Sequence, residues 1–125
     1  MNDRIPGGRT ILSVDDDDPL ARCVRDRLAA AGYLVQRSAS GHEALAGLEA
    51  ANARLILLSL LLPDTDGLIL CASIKSRTSA PIVLLSKRVR KVDQALALEL
   101  GALGVVTQPS EIDTVLARLA EPVLA

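Results

Sequence analysis

Five short apolar stretches recur along the chain, and a pattern typical of an amphipathic helix follows each of them. Strands with so little charge are typical of a sheet that is buried on both faces, and strands that alternate with helices are typical of a parallel sheet. The pattern therefore predicts an α/β fold in which helices cover both faces of a five-stranded parallel sheet. The predicted strands are residues 10–14, 33–36, 55–58, 81–85 and 103–107.

Capping residues predict where the helices begin and end. Asp18 and Pro19 have the form of an N-cap and a first helical residue, and Gly32 ends this first helix. Residues 40–43 have the form of a capping box, and Asp66 is expected to cap the helix after the third strand. Two more helices are predicted at about 89–100 and 110–120. The side chains predicted to face the core are Leu20, Cys23, Val24, Leu28 and Ala31 on the first helix, Ala44, Leu45 and Leu48 on the second, and Leu70, Cys71 and Ile74 on the third.

The two cysteines, Cys23 and Cys71, lie far apart in the chain, and each falls within a helical pattern. Two cysteines do not make the disulfide framework of a small secreted domain. We therefore predict that both are unpaired and buried, as small core residues in the reducing cytoplasm.

The length of 125 residues fits one domain, which we place at residues 9–121, after a disordered lead at 1–8 and before a stub at 122–125. The net charge of −1 gives no polybasic field for nucleic acid or an anionic membrane. Tyr33 is the only aromatic residue, so stacking platforms for single-stranded nucleic acid are absent. The basic residues around 87–91 have the character of a solvated helix start. We expect a cytoplasmic domain that contacts neither nucleic acid nor membrane directly.

Polar residues gather where the predicted strands end, the place at which parallel α/β sheets usually carry their chemistry. Four aspartates, 15–18, follow the first strand, Ser59 follows the third, Ser86 the fourth and the Gln108–Pro109 pair the fifth. Asp15 and Asp16 could together hold a hard cation such as Mg²⁺. Because adjacent carboxylates repel one another, some compensation for the four aspartates is expected.

From Ile11 to about Ala120 the chain resembles the receiver domain of two-component response regulators. The segments that carry the resemblance are ILSVDDDDP, LLSLLLPDTDG, PIVLLS, VDQALALELGA and the QP pair, and the last two are most similar to the receivers of winged-helix transcription regulators. The resemblance implies a flavodoxin-like three-layer (βα)5 sandwich with strand order 2-1-3-4-5. It also implies that Ser59 lies at the carboxyl end of the central strand, close to Asp15 and Asp16.

The resemblance further implies how each strand end is used. In the family an acidic pair, here Asp15 and Asp16, holds Mg²⁺. A third aspartate, whose position is Ser59 here, takes the phosphoryl group from a partner histidine kinase. A threonine or serine on the fourth strand bonds that phosphoryl group, and Ser86 keeps this role.

Two further family positions lie on the fifth strand and its exit. A lysine before a cis-proline pairs with the phosphoryl oxygens in the family, and here that position is Gln108, before Pro109. We predict that the Gln108–Pro109 bond is cis, as the family pattern implies. The aromatic switch residue of the fifth strand corresponds to Val105.

These departures indicate a pseudo-receiver that acts by protein contact and not as an enzyme. A serine hydroxyl is a poor nucleophile unless a base activates it, and the only histidine, His42, should not reach Ser59. We expect no cofactor, and at most weak Mg²⁺ binding at Asp15 and Asp16. Two alternatives stay open: a receiver phosphorylated on Ser59 or a nearby carboxylate, and a flavodoxin-like binder of a small ligand over Asp15, Ser59 and Gln108.

Structural roles are also open for the same residues. Ser59 could be a small polar residue satisfied by backbone, and Ser86 could cap the next loop. Asp64 and Asp66 are expected to serve the turn and the helix cap.

The expected partner is another protein or an effector domain fused to the receiver. The relatives form dimers through the fourth helix, the fifth strand and the last helix, using an ionic network. Here the acidic pair of that network is replaced by Leu103 and Gly104, and Arg118 is the one arginine left on the last helix. The ionic dimer is therefore expected to be weakened, with aliphatic surface in its place.

Overall fold

A computed structural model describes residues 9–120 and contains one parallel five-stranded sheet in the order β2-β1-β3-β4-β5. The α/β fold class and the strand order are thus confirmed. The predicted lead at 1–8 and the stub at 122–125 lie outside the described residues. The strands are β1 Thr10–Val14, β2 Leu34–Ser38, β3 Leu55–Ser59, β4 Ile82–Leu85 and β5 Gly104–Val106. The helices are α1 Pro19–Ala30, α2 Gly41–Ala46, α3 Leu48–Ala51, α4 Gly67–Lys75, α5 Lys91–Glu99 and α6 Ile112–Ala120.

Successive residues of the central strands point into two different core layers, as the period of two in a strand requires. On β3, Leu55 and Leu57 pack in the layer under α1 and α6, whereas Ile56 and Leu58 pack in the layer under α2 and α4. All five residues of β3 are buried. Both faces of the sheet are therefore apolar, which explains the uninterrupted apolar sequence of this strand.

The helix ends follow the predicted caps. The Asp18 carboxylate accepts from the backbone N–H of Ala21, and Gly32 adopts φ 96° just after α1. The Ser40 hydroxyl accepts from the N–H of Glu43 at 3.1 Å, and the Glu43 carboxylate accepts from the N–H of Ala39 at 3.0 Å. The capping box thus forms with its return bond one residue earlier than in the usual pattern.

The edge strand and the first helix depart from three predictions. Ala31, predicted to face the core, is exposed just after the end of α1. The strand β2 begins and ends later than the predicted range of 33–36. Its apolar pattern is weak because it is an edge strand, and its first residue, Leu34, is 65% exposed. Cys23 is exposed and only Cys71 is buried, so the prediction that both are buried was wrong for Cys23. At 100° per residue, Cys23 lies roughly 115° from the centre of the stripe formed by the buried residues of α1.

Both cysteines are free, as predicted. Burial raises the pKa of the Cys71 thiol, which keeps it protonated at neutral pH. Within residues 9–120, no helix is long and apolar enough to cross a membrane.

Candidate functional site

Ser59 is the last residue of the central strand, as predicted. β1 and β3 pair in parallel with Val14 beside Leu58, so Asp15 and Ser59 are the next residues on neighbouring strands. Neighbouring strands lie about 4.8 Å apart, which brings the two residues together at the end of the sheet. Ser59 is only 7% exposed, yet its hydroxyl makes no hydrogen bond to any residue from 9 to 120. The expectation that backbone satisfies this hydroxyl was therefore wrong.

A surface cleft of about 430 Å³ opens above Ser59. Acidic side chains stand on one side of this Ser59 cleft and basic side chains on the other. It is lined by Asp16, Asp18, Ser59, Leu60, Leu61, Leu85, Ser86, Lys87 and Arg88. The Ser86 hydroxyl donates to the backbone oxygen of Arg88, which is the loop-capping role considered from the sequence. Gln108 and Asp15 are not among the residues that line the cleft, so a small ligand there would meet Ser59 but not the other two residues expected from the sequence.

The exit of β5 is built differently from the prediction. None of the peptide bonds between described residues is cis, so the prediction of a cis bond before Pro109 was wrong. Gln108 is extended, with φ −136° and ψ 145°, the usual conformation before a trans proline. The Glu111 carboxylate accepts from the N–H of Thr107 at 2.7 Å and of Gln108 at 3.2 Å. These bonds lower the pKa of Glu111, the Thr107 bond most, and they hold the turn.

The Asp15 carboxylate is fully buried and has four close partners. Its Oδ1 accepts from the N–H of Asp17 at 2.8 Å and from Nε of Arg37 at 2.9 Å. Its Oδ2 accepts from the Ser13 hydroxyl at 2.6 Å and lies 3.2 Å from Nε of Arg25. A carboxylate offers about four acceptor positions, and hydrogen bonds fill three of them here, while the charge of Arg25 stands beside Oδ2.

The other three aspartates of the run face outward and have separate surroundings. Asp17 adopts φ 59°, a left-handed conformation that aspartate tolerates, and pairs with Arg25. This bond with Arg25 is the main reason that the pKa of Asp17 is lowered. Asp16 and Asp18 line the Ser59 cleft instead. Arginines from α1 and β2 therefore provide the compensation expected for the aspartates.

Comparisons with known proteins agree with this geometry. A model of the response regulator receiver domain matches residues 11–120. The chain belongs to this family. This receiver domain is 36% identical over 109 residues to the transcriptional regulatory protein BaeR of Escherichia coli. That match covers 87% of this chain and 45% of BaeR, so the chain spans about half the length of the curated relative.

Solved receiver structures have the same fold. A putative response regulator from Chloroflexus aurantiacus is 30% identical, with a TM-score of 0.79 over 89% of this chain and 96% of that one. The BeF3-activated N-terminal receiver domain of RstA from Klebsiella pneumoniae is 27% identical, with a TM-score of 0.78 over 90% and 99% of the two chains. The chemotaxis response regulator CheY4 of Vibrio cholerae is 25% identical, with a TM-score of 0.76 over 88% and 97%.

The magnesium ion that the receiver family implies does not fit the acidic pair of this receiver. The Asp15 carboxylate accepts three hydrogen bonds from the protein and is paired with two arginines, and Asp16 is exposed at the cleft. Ser59, at the end of β3, supplies a hydroxyl and no carboxylate. Among the described residues, no three His, Cys, Asp or Glu side chains are grouped so that they could hold a metal ion.

The carboxylates after β3 have structural partners in this receiver. The Asp64 carboxylate accepts from the N–H groups of Gly41 and His42, both at 2.9 Å, and these two bonds lower its pKa. The Asp66 carboxylate accepts from the N–H of Leu68 at 2.7 Å and caps α4. The cap role expected for Asp66 is thus found, whereas the Asp64 carboxylate binds the start of α2 and not the backbone of its own turn. His42 is not among the residues that line the Ser59 cleft.

Sequence reasoning missed Ser13, Arg25 and Arg37, the three side chains around Asp15. Ser13 could have been found, because residues i and i+2 of a strand share a face. Arg37 pairs with Ser13 across β1 and β2, but this register depends on where the edge strand begins, and the prediction placed that strand too early. Val105 lies half-buried on β5, against the layer under α2 and α4.

Proposed function

We propose that this receiver is a pseudo-receiver: a cytoplasmic signalling module that does not carry an aspartyl phosphate and is not an enzyme. It acts by contact with a protein partner or with an effector domain fused to it. The observation that carries the proposal is Ser59 at the buried end of the central strand, beside an Asp15 that is already neutralised by arginines.

The chemistry of the strand ends supports this proposal. A phosphoryl group is held well by charge-assisted contacts, and an aspartate nucleophile needs a cation that balances the charge it gains. Gln108, at the lysine position, is neutral and does not line the Ser59 cleft. Within the described residues, no histidine or carboxylate bonds the Ser59 hydroxyl, so nothing there acts as a base that would activate it.

The surface around α5 supports a role in protein contact. Val92 and Leu96 stand one turn apart on this helix and are 62% and 40% exposed, and Leu61 at the mouth of the cleft is 80% exposed. We include α5, β5 and α6 in the proposed contact face, where Gly104 and Arg118 line a groove between β5 and α6. BaeR is a transcriptional regulatory protein of about twice this length, which supports a fused effector and a role in transcriptional control.

The function is tested by incubating the unmodified protein with a small phosphodonor and Mg²⁺ and measuring its intact mass. We expect no gain of a phosphoryl group, whereas a receiver that retains the aspartate gains one under the same conditions. A gain of phosphoryl mass would contradict the proposal. Ser59→Ala then assigns the modification: loss of the added mass places it on Ser59, and persistence places it on a neighbouring carboxylate.

A further inference from the structure

The partners of Asp15 include two guanidinium groups that come from different elements. Arg37 lies on β2, where its side chain is 34% exposed, and Arg25 lies on α1, where its side chain is 20% exposed. We propose that these two arginines are a built-in cation, which occupies the acidic pocket of the receiver fold and excludes Mg²⁺ from it.

Arg37 binds the kinds of oxygen that a hard cation would bind. Its Nε donates to Oδ1 of Asp15 at 2.9 Å, and its Nη2 donates to the backbone oxygen of Asp15 at 2.8 Å. Carboxylate and backbone carbonyl oxygens are also the usual protein ligands of Mg²⁺ and Ca²⁺. The hydrogen bond to Asp15 raises the pKa of Arg37, which keeps the charge in place at every accessible pH.

Arg25 contributes charge at the opposite oxygen. Its buried Nε lies 3.2 Å from Oδ2 of Asp15 and makes no hydrogen bond to a described residue, while its Nη2 bonds Asp17. Arg25 therefore bridges two aspartates of the run. A buried carboxylate needs such a partner, because an uncompensated charge in the interior is strongly destabilising.

The built-in cation has a consequence for attempts to restore the metal site. Ser59→Asp alone supplies a third carboxylate but leaves Arg37 and Arg25 on Asp15, so it should bind Mg²⁺ poorly. Removal of the Arg37 charge should free Oδ1 and the backbone oxygen of Asp15. Only the two changes together should produce a usable site.

The experiment compares Mg²⁺ affinity in Ser59→Asp with that in Ser59→Asp/Arg37→Gln, using calorimetric titration of Mg²⁺ and thermal melts at constant ionic strength. We expect the double variant to bind Mg²⁺ at least about tenfold more tightly and to be stabilised by it. Ser59→Asp/Arg22→Gln is the control, since Arg22 lies on α1 and, within residues 9–120, forms an ion pair with Asp17 alone, at 3.7 Å. This control should bind Mg²⁺ no better than Ser59→Asp alone.

Arg37→Lys keeps the positive charge but removes the guanidinium group, so it tests whether charge alone excludes Mg²⁺. It also gives a second measurement if the glutamine variant does not fold. In the Ser59→Asp background we expect the lysine to keep Mg²⁺ out, because the charge remains. Equal affinity in Ser59→Asp and Ser59→Asp/Arg37→Gln would overturn the proposal, as would tight Mg²⁺ binding by the lysine variant. These outcomes are independent of the phosphorylation test, because they measure only the metal.

Discussion

At the scale of single residues, Gly67 sets how closely the first turn of α4 approaches the end of β3. The N–H of Gly67 donates to the backbone oxygen of Leu60 at 2.8 Å. A Cβ at this position would lie 2.9 Å from Cα of Leu60 and closer still to the backbone oxygen of Ser59. Both neighbours are backbone atoms and cannot turn aside, so the shape of the site near Ser59 depends on the absence of a side chain here.

We therefore predict that Gly67→Ala lowers the free energy of unfolding by about 1–3 kcal/mol, the usual cost of overpacking. Denaturant unfolding followed by circular dichroism measures this. Gly104→Ala is the control, because a Cβ at Gly104 meets nothing within 4 Å. The control should be close to neutral, and equal losses in the two variants would contradict the role given to Gly67.

At the scale of elements, Asp64 connects the turn after β3 to the start of α2, 22 to 23 residues earlier in the chain. It lies in the turn after β3, and its carboxylate binds the first two N–H groups of α2. Negative charge near a helix N-terminus is stabilising, and here it also fixes α2 against the turn that follows Ser59.

We predict that Asp64→Asn lowers the melting temperature and speeds amide hydrogen exchange at Gly41 and His42. The asparagine keeps one acceptor oxygen and loses the charge, so one of the two N–H groups is left without its partner. Asp113→Asn is the comparison, since Asp113 pairs with Arg27 on the exposed surface and should contribute little. Unchanged exchange at both amides would show that Asp64 does not hold α2.

The elements also show which features of the structure were predictable. Every helix cap named from the sequence forms, because a cap depends on residues only a few positions apart. Cys23 and the exit of β5 were misjudged, because each depends on tertiary surroundings: the rotation of α1 over the sheet, and the Glu111 carboxylate that holds Thr107 and Gln108. The arginines on Asp15 were missed for the same reason, although the position of Asp15 beside Ser59 was predicted correctly.

At the scale of the whole molecule, charged side chains tie the outer layers together around the apolar sheet. Arg27 of α1 bonds Asp113 of α6 at 2.6 Å, and Arg77 after α4 bonds Glu49 of α3 at 2.9 Å. Among residues 9–120, five carboxylates have a pKa lowered by folding through hydrogen bonds to arginines or to backbone N–H groups. They are Asp17, Glu49, Asp64, Glu111 and Asp113.

The sign of the pH dependence follows from those lowered pKa values. The unfolded chain takes up protons first as the pH falls, so the carboxylates stabilise the fold above their ordinary pKa of about 4 and lose this effect below it. We predict a free energy of unfolding that is level from about pH 5 to 7 and falls below about pH 4. Urea unfolding at a series of pH values measures it, and a level profile down to about pH 3 would contradict the prediction. In the Asp64→Asn variant, which lacks one of these carboxylates, the free energy of unfolding should decrease less steeply as the pH falls.

The pairing of Arg37 and Arg25 with Asp15 also bears on how such a chain could evolve. If the arginines exclude the metal, aspartate at position 59 brings no metal binding by itself. Loss of Arg37 by itself removes a charge partner from a buried carboxylate and still leaves no third ligand. Neither substitution is then of use before the other is present. Selection acting on one substitution at a time would then have no favourable first step towards a metal-dependent receiver.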